Sequence, residues 1–71
     1  MKFIELRRLC NARFYSLEVY GLEDSRKSVE IDVEDAADKM ALADYDETEV
    51  LRIQPYVTDD DEPGLEVELN V

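Results

Sequence analysis

The chain has 71 residues, with 19 Asp and Glu against 8 Lys and Arg, no histidine and one cysteine, giving a formal charge of −11 at pH 7. That size holds one domain whose core is barely sufficient by itself. The charge disfavours nucleic acid as a direct ligand, because affinity there comes from Lys and Arg meeting phosphates.

The charge is unevenly distributed. Residues 1–27 hold six bases against four acids, whereas residues 28–71 hold fifteen acids against only Lys39 and Arg52. An apolar fraction of 45% is ordinary for a folded domain. Cys10 alone leaves no internal disulfide and no cysteine zinc site, and fits a reducing compartment. Lys2 and Phe3-Ile4 are followed at once by Glu5, unlike a signal peptide. No apolar run nears the ~20 residues of a membrane span. A soluble, intracellular protein with no membrane partner is expected.

Residues 2 to 9 fit two patterns. Phe3, Leu6, Cys10 and Phe14 match a helical stripe; Ile4 and Leu6 between Glu5 and Arg7 match an edge strand. The strand is favoured, with Asn11-Ala12 as a turn. From Phe14 to Tyr20 the pattern alternates, with Tyr15, Leu17 and Val19 on one side and Phe14, Ser16, Glu18 and Tyr20 on the other. Gly21 to Lys27 reads as a hairpin loop. Ser28 to Val33 alternates again, with Val29, Ile31 and Val33 inward, as the antiparallel partner of the preceding strand.

A short helix is predicted next. Asp32 would cap it, with Glu34 and Asp35 at its positive end and Ala36, Ala37, Met40 and Ala43 or Leu42 facing inward. Asp44 to Thr48 reads as a loop. Val50 to Val57 is a strand with Leu51, Ile53 and Val57 inward and Arg52, Gln54 and Tyr56 outward; Pro55 marks it as an edge or a bulge. Asp59 to Gly64 is a turn by its chemistry. In the last strand Leu65, Val67, Leu69 and Val71 form one face and Glu66, Glu68 and Asn70 the other. The fold class that follows is α+β, a mostly antiparallel β-sheet with one short helix on one face, residues 1–71 forming a single small domain.

No reaction is legible. Cys10 lacks a histidine partner, the serines lack a base, and Gly21 and Gly64 cannot make a phosphate loop. Asp59-Asp60-Asp61-Glu62-Pro63-Gly64 begins like a calcium loop, but Pro63 takes the fifth position and Asn70 the twelfth, where a bidentate Glu belongs. No catalytic residue, cofactor or metal is expected. What remains is a surface. Carboxylates at i and i+2 on a strand lie ~6.7 Å apart on one face, a charge row that can mimic a DNA backbone for a basic protein. Phe14 and Tyr20 share that face with Glu18, and aromatic residues among charges are frequent interface anchors. The predicted partner-binding set is Phe14, Glu18, Tyr20, Glu30, Glu66 and Glu68.

Met1-Lys2-Phe3-Ile4, Val19-Tyr20, Val29-Glu30 and Asp44-Tyr45-Asp46-Glu47-Thr48-Glu49 together resemble the small phage-encoded anti-CRISPR proteins of type I systems. The likeness is greatest to the type I-F inhibitors that bind the backbone of the crRNA-guided surveillance complex. The resemblance implies an antiparallel sheet with helices and an aromatic-plus-glutamate contact face, on which Tyr20 and Glu30 match the family's contact residues. Leu6 departs from it, standing where the family has a tyrosine. Val50 to Val71 departs too, reading as strands where the family has helices. The function so implied is non-catalytic inhibition inside a bacterial host cell. The protein would cover a basic surface of the surveillance complex and block target-DNA binding. An immunity protein or antitoxin that blocks a basic nuclease, or an oligomeric phage structural protein that uses the rings to form a homodimer, needs the same features.

Self-repulsion at this charge density opposes the compact state and is screened by salt. The midpoint of thermal unfolding, followed by circular dichroism at neutral pH, should therefore rise as sodium chloride is added. A fall would mean that ion pairs outweigh the repulsion.

Overall fold

In the computed structural model, which describes residues 1–21 and 26–70, the chain runs α1 (Phe3–Leu9), β1 (Phe14–Tyr20), β2 (Arg26–Asp32), α2 (Ala36–Leu42), β3 (Glu49–Val57) and β4 (Pro63–Asn70). A 3-10 turn at Ala43–Tyr45 follows α2. The strands form one sheet in the order β2-β1-β4-β3. Both outer pairings are antiparallel and the central one, β1 with β4, is parallel. The fold is α+β with a mostly antiparallel sheet, as the alternating patterns predict, but with two short helices in place of one.

Alternation explains the strands. Tyr15, Leu17 and Val19 on β1, Ile31 on β2, and Val67 and Leu69 on β4 are buried under the helices with Phe3, Leu6 and Leu42. Residues 2 to 9 are the main correction, because the helical stripe prevails over the edge strand. Phe3 and Leu6, one turn apart, both enter the core, and Phe3 meets Tyr15 edge to face with ring centroids 5.6 Å apart. The loop before β3 receives the helix start: Phe3 N–H donates to the Thr48 carbonyl at 2.9 Å and Ile4 N–H to that of Asp46 at 3.0 Å. Arg7 completes the joint. Its Nη2 donates to Asp46 Oδ2 at 3.0 Å, and its Nε lies 2.8 Å from Oδ1.

α2 falls where the composition places it, with a different cap and a smaller buried face. Asp35 is the N-cap, its carboxylate accepting from Asp38 N–H at 3.0 Å. Asp32 instead holds Arg13 and the Glu34 N–H. Of the predicted inward side chains only Leu42 is buried; Ala36, Ala37, Met40 and Ala43 are exposed, Met40 at 77%. The expected hairpin loop at Gly21 to Lys27 lies partly outside the described residues, and Arg26 and Lys27 already belong to β2. Val71, expected inward, also lies outside them.

β3 is an edge strand, as Pro55 predicts. Arg52, Gln54 and Tyr56 share the face of Glu68, Glu66 and Gly64 by register. Leu51 does not point inward. It sits in a register shift between Val50 and Arg52 and is 56% exposed. Ile53 and Val57 lie on the helix side, but neither is buried there. The chain's first residues cover the start of this edge: Lys2 bridges Glu49, and Val50 N–H donates to the Met1 carbonyl at 2.8 Å.

The turn before β4 uses Asp61, with φ 60°, as its left-handed residue, a conformation Asp tolerates better than most. Pro63 and Gly64 already belong to β4. Gly64 is needed for close approach: a Cβ there would lie 2.6 Å from the Phe14 carbonyl oxygen and 3.0 Å from Phe14 Cβ. That oxygen is backbone and cannot swing aside. Gly64→Ala should cost about 1–3 kcal/mol, read as a lower urea midpoint; an unchanged midpoint would refute the steric account.

Candidate protein-binding face

The side of the sheet away from the helices carries all six residues of the predicted set. Phe14, Glu18 and Tyr20 alternate with the buried residues of β1, Glu66 and Glu68 with those of β4, and Glu30 precedes Ile31 on β2. The register arranges them in rows across the strands. Asp32, Phe14, Gly64 and Tyr56 form one row; Glu30, Ser16, Glu66 and Gln54 the next; Ser28, Glu18, Glu68 and Arg52 the third; and Arg26, Tyr20, Asn70 and Glu49 the last.

The carboxylates are not equivalent. Glu18 and Glu68 are register neighbours on the two central strands, where like charges repel. The arrangement is offset from both edges. Arg26 Nε donates to Glu18 Oε2 at 2.7 Å, Ser28 Oγ donates to Oε1 at 2.9 Å, and Arg52 stands opposite Glu68. These donors hold the Glu18 carboxyl below its ordinary pKa, the Arg26 bond foremost. Glu18 therefore serves the fold more than a partner, its side chain only 13% exposed.

The other end of the face is different. Tyr56, on one edge strand, donates from its hydroxyl to Glu30 Oε1 on the other at 3.0 Å, reaching over its neighbour on β4, the side-chain-free Gly64. The bond to Glu30 is the chief cause that raises the Tyr56 phenol above its usual pKa. Glu66 accepts from Gln54 Nε2 at 2.8 Å. Beside Tyr56 lies a groove of about 310 Å³ bounded by Phe14, Glu30, Asp32 and Asp38 and by Asp59 and Asp60 of the β3–β4 turn. Arg13 stacks over Phe14 at 4.8 Å and binds Asp32. The face is thus graded. Its Phe14–Tyr56 end is strongly acidic, and its Tyr20 end mixes Glu18, Glu49 and Glu68 with Arg26 and Arg52.

Sequence reasoning finds the face but misses this gradient, because the two arginines and the Tyr56 bridge depend on which strand lies beside which. Among the described residues, no three or more Cys, Asp or Glu side chains are grouped to hold a metal ion, and no helix is long and apolar enough to cross a membrane. No protein-family model, curated protein or solved structure matches the chain.

Glu18 yields a pH prediction. Its carboxyl is depressed when folded, so its contribution is complete above the unfolded value near 4.5 and is lost as pH falls through the folded value. The difference in unfolding free energy between the wild type and Glu18→Gln should be constant at neutral pH and shrink below about pH 4.5. Urea titrations at several pH values would show it, and a pH-independent difference would refute the ion-pair account.

Proposed function

We propose that this protein is a non-catalytic inhibitor that docks its graded acidic face onto a basic protein surface, and that the target is a CRISPR surveillance complex whose DNA-binding surface it occupies. The observation that carries the reading is the placement of Glu30, Glu66, Glu68, Phe14, Tyr20 and Tyr56 together on one sheet face free of helices. The choice of target comes from the resemblance alone, in which Tyr20 and Glu30 are the matching contact residues.

The mechanism needs only occupancy. A row of carboxylates meets Lys and Arg side chains that would otherwise meet phosphates, so the target loses its DNA-binding surface while the acidic chain itself avoids DNA. Long-range attraction to a basic target speeds encounter, and the rings supply apolar contact once the faces meet. Because the charge of Glu18 is offset by Arg26, whereas Glu30 and Glu66 accept only from the uncharged Tyr56 and Gln54, the discriminating contacts fall at Glu30, Glu66 and the groove beside Tyr56.

The test is capture of a purified type I surveillance complex by the protein, followed by a target-DNA binding assay. Wild-type protein should bind and should compete with DNA. Glu30→Lys should weaken binding about tenfold or more, whereas Glu18→Gln should have a smaller effect. An unchanged affinity for Glu30→Lys would remove this face from the mechanism. Failure to bind any such complex, with capture of a basic nuclease instead, would move the target to the immunity-protein class.

A further inference from the structure

The helix layer does not cover the whole sheet. α1 packs Phe3 and Leu6 downward, and Arg7 turns towards the α2 side, where it lines a cavity with Leu42 and Val33. Leu9, about 200° of helical rotation from Arg7, lies on the opposite flank and is 76% exposed. A second cavity, of about 530 Å³, shares Cys10, Asn11, Ala12 and Arg13 with the first and is completed by Glu62, Pro63 and Leu65. By register Pro55 lies beside Leu65 and Val57 beside Pro63, and Ile53 beside Val67. Ile53 and Val57 stay 42% and 61% exposed. The result is an apolar strip from Leu9 across Leu65 to Ile53 and Val57. It runs along the ~13 Å that Ile53 to Val57 span.

We infer that this strip is the contact surface for a second copy of the same chain, related by a two-fold axis through Leu65. Charge favours that occupant. β3 holds one acid and one base in a chain of charge −11, so the strip is where two copies can approach with the least repulsion. Its two margins are opposite in sign. Arg8, beside Leu9, has no ion-pair partner among the described residues. Asp59, Asp60, Asp61 and Glu62, beyond Val57, have none either. A two-fold operation lays each copy's Arg8 margin over the other's acidic turn. Contact is face to face, since Pro55 removes a ladder donor from β3 and Met1-Lys2 covers the start of its edge. Association through so short a strip makes the dimer concentration-dependent.

Sedimentation at ~0.15 M salt over about a hundredfold range of concentration tests this, and its outcome does not depend on the identity of any inhibitor target. The wild type should pass from monomer to dimer. Val57→Asp and Leu9→Asp, on opposite walls of the strip, should each leave a monomer with an unchanged melting curve; Val57→Ser serves if Val57→Asp unfolds. Arg8→Glu should weaken the dimer about tenfold, and Arg8→Glu combined with Glu62→Arg should recover it. A wild type that is monomeric throughout overturns the inference. So does a dimer that survives both aspartates, or a charge swap that recovers nothing.

Discussion

The parallel pairing of β1 with β4 is the constraint on which the rest of the molecule depends. It joins a β1–β2 hairpin unit to a β3–β4 unit and puts Leu17 beside Val67 and Val19 beside Leu69, three of these four with no exposed surface. The same register sets Phe14 beside Gly64, Ser16 beside Glu66 and Glu18 beside Glu68 on the opposite side. Core and candidate binding face are therefore two sides of one decision about register. A shift by one residue would send Glu66 and Glu68 into the core and Val67 and Leu69 into water.

An excess of charge shapes how the two halves meet. Many basic side chains of the first half are engaged by acids of the second: Lys2 by Glu47, Arg7 by Asp46, and Arg13 by Asp32 and Glu34. Exposed pairs of this kind contribute little each, but they fix where uncompensated acid remains. It remains at the β3–β4 turn and along the Phe14–Tyr56 end of the sheet, and that residue of charge is what a cationic partner would meet.

How much of this is legible in the sequence depends on range. The alternation in Phe14–Tyr20, Ser28–Val33 and Leu65–Asn70 specifies strands and faces locally, so the six face residues can be named from spacing alone. At residues 2 to 9 both periods fit, and the outcome turns on the loop carbonyls of Asp46 and Thr48, which the local pattern does not contain. The alanines of α2 look like a packing face, yet small side chains on a seven-residue helix tolerate exposure equally well. Tyr56 reads only as outward-facing; its reach to Glu30 needs Gly64 between them, and hence the strand order. Pro63-Gly64 looks like turn chemistry because glycine's two uses, a left-handed turn and a close approach, leave the same letter in the sequence.

The central pairing also has a bearing on the order of assembly. Phe14 and Gly64 are fifty positions apart, whereas β1 with β2 and β3 with β4 are joined by short connections. Closing the long loop costs entropy that the local hairpins avoid. During synthesis, then, the emerging chain can hold a hairpin but not the sheet's middle, and Leu17, already beside Val29, stays without Val67 until β4 has left the ribosome. The innermost part of the structure is the last to come into existence.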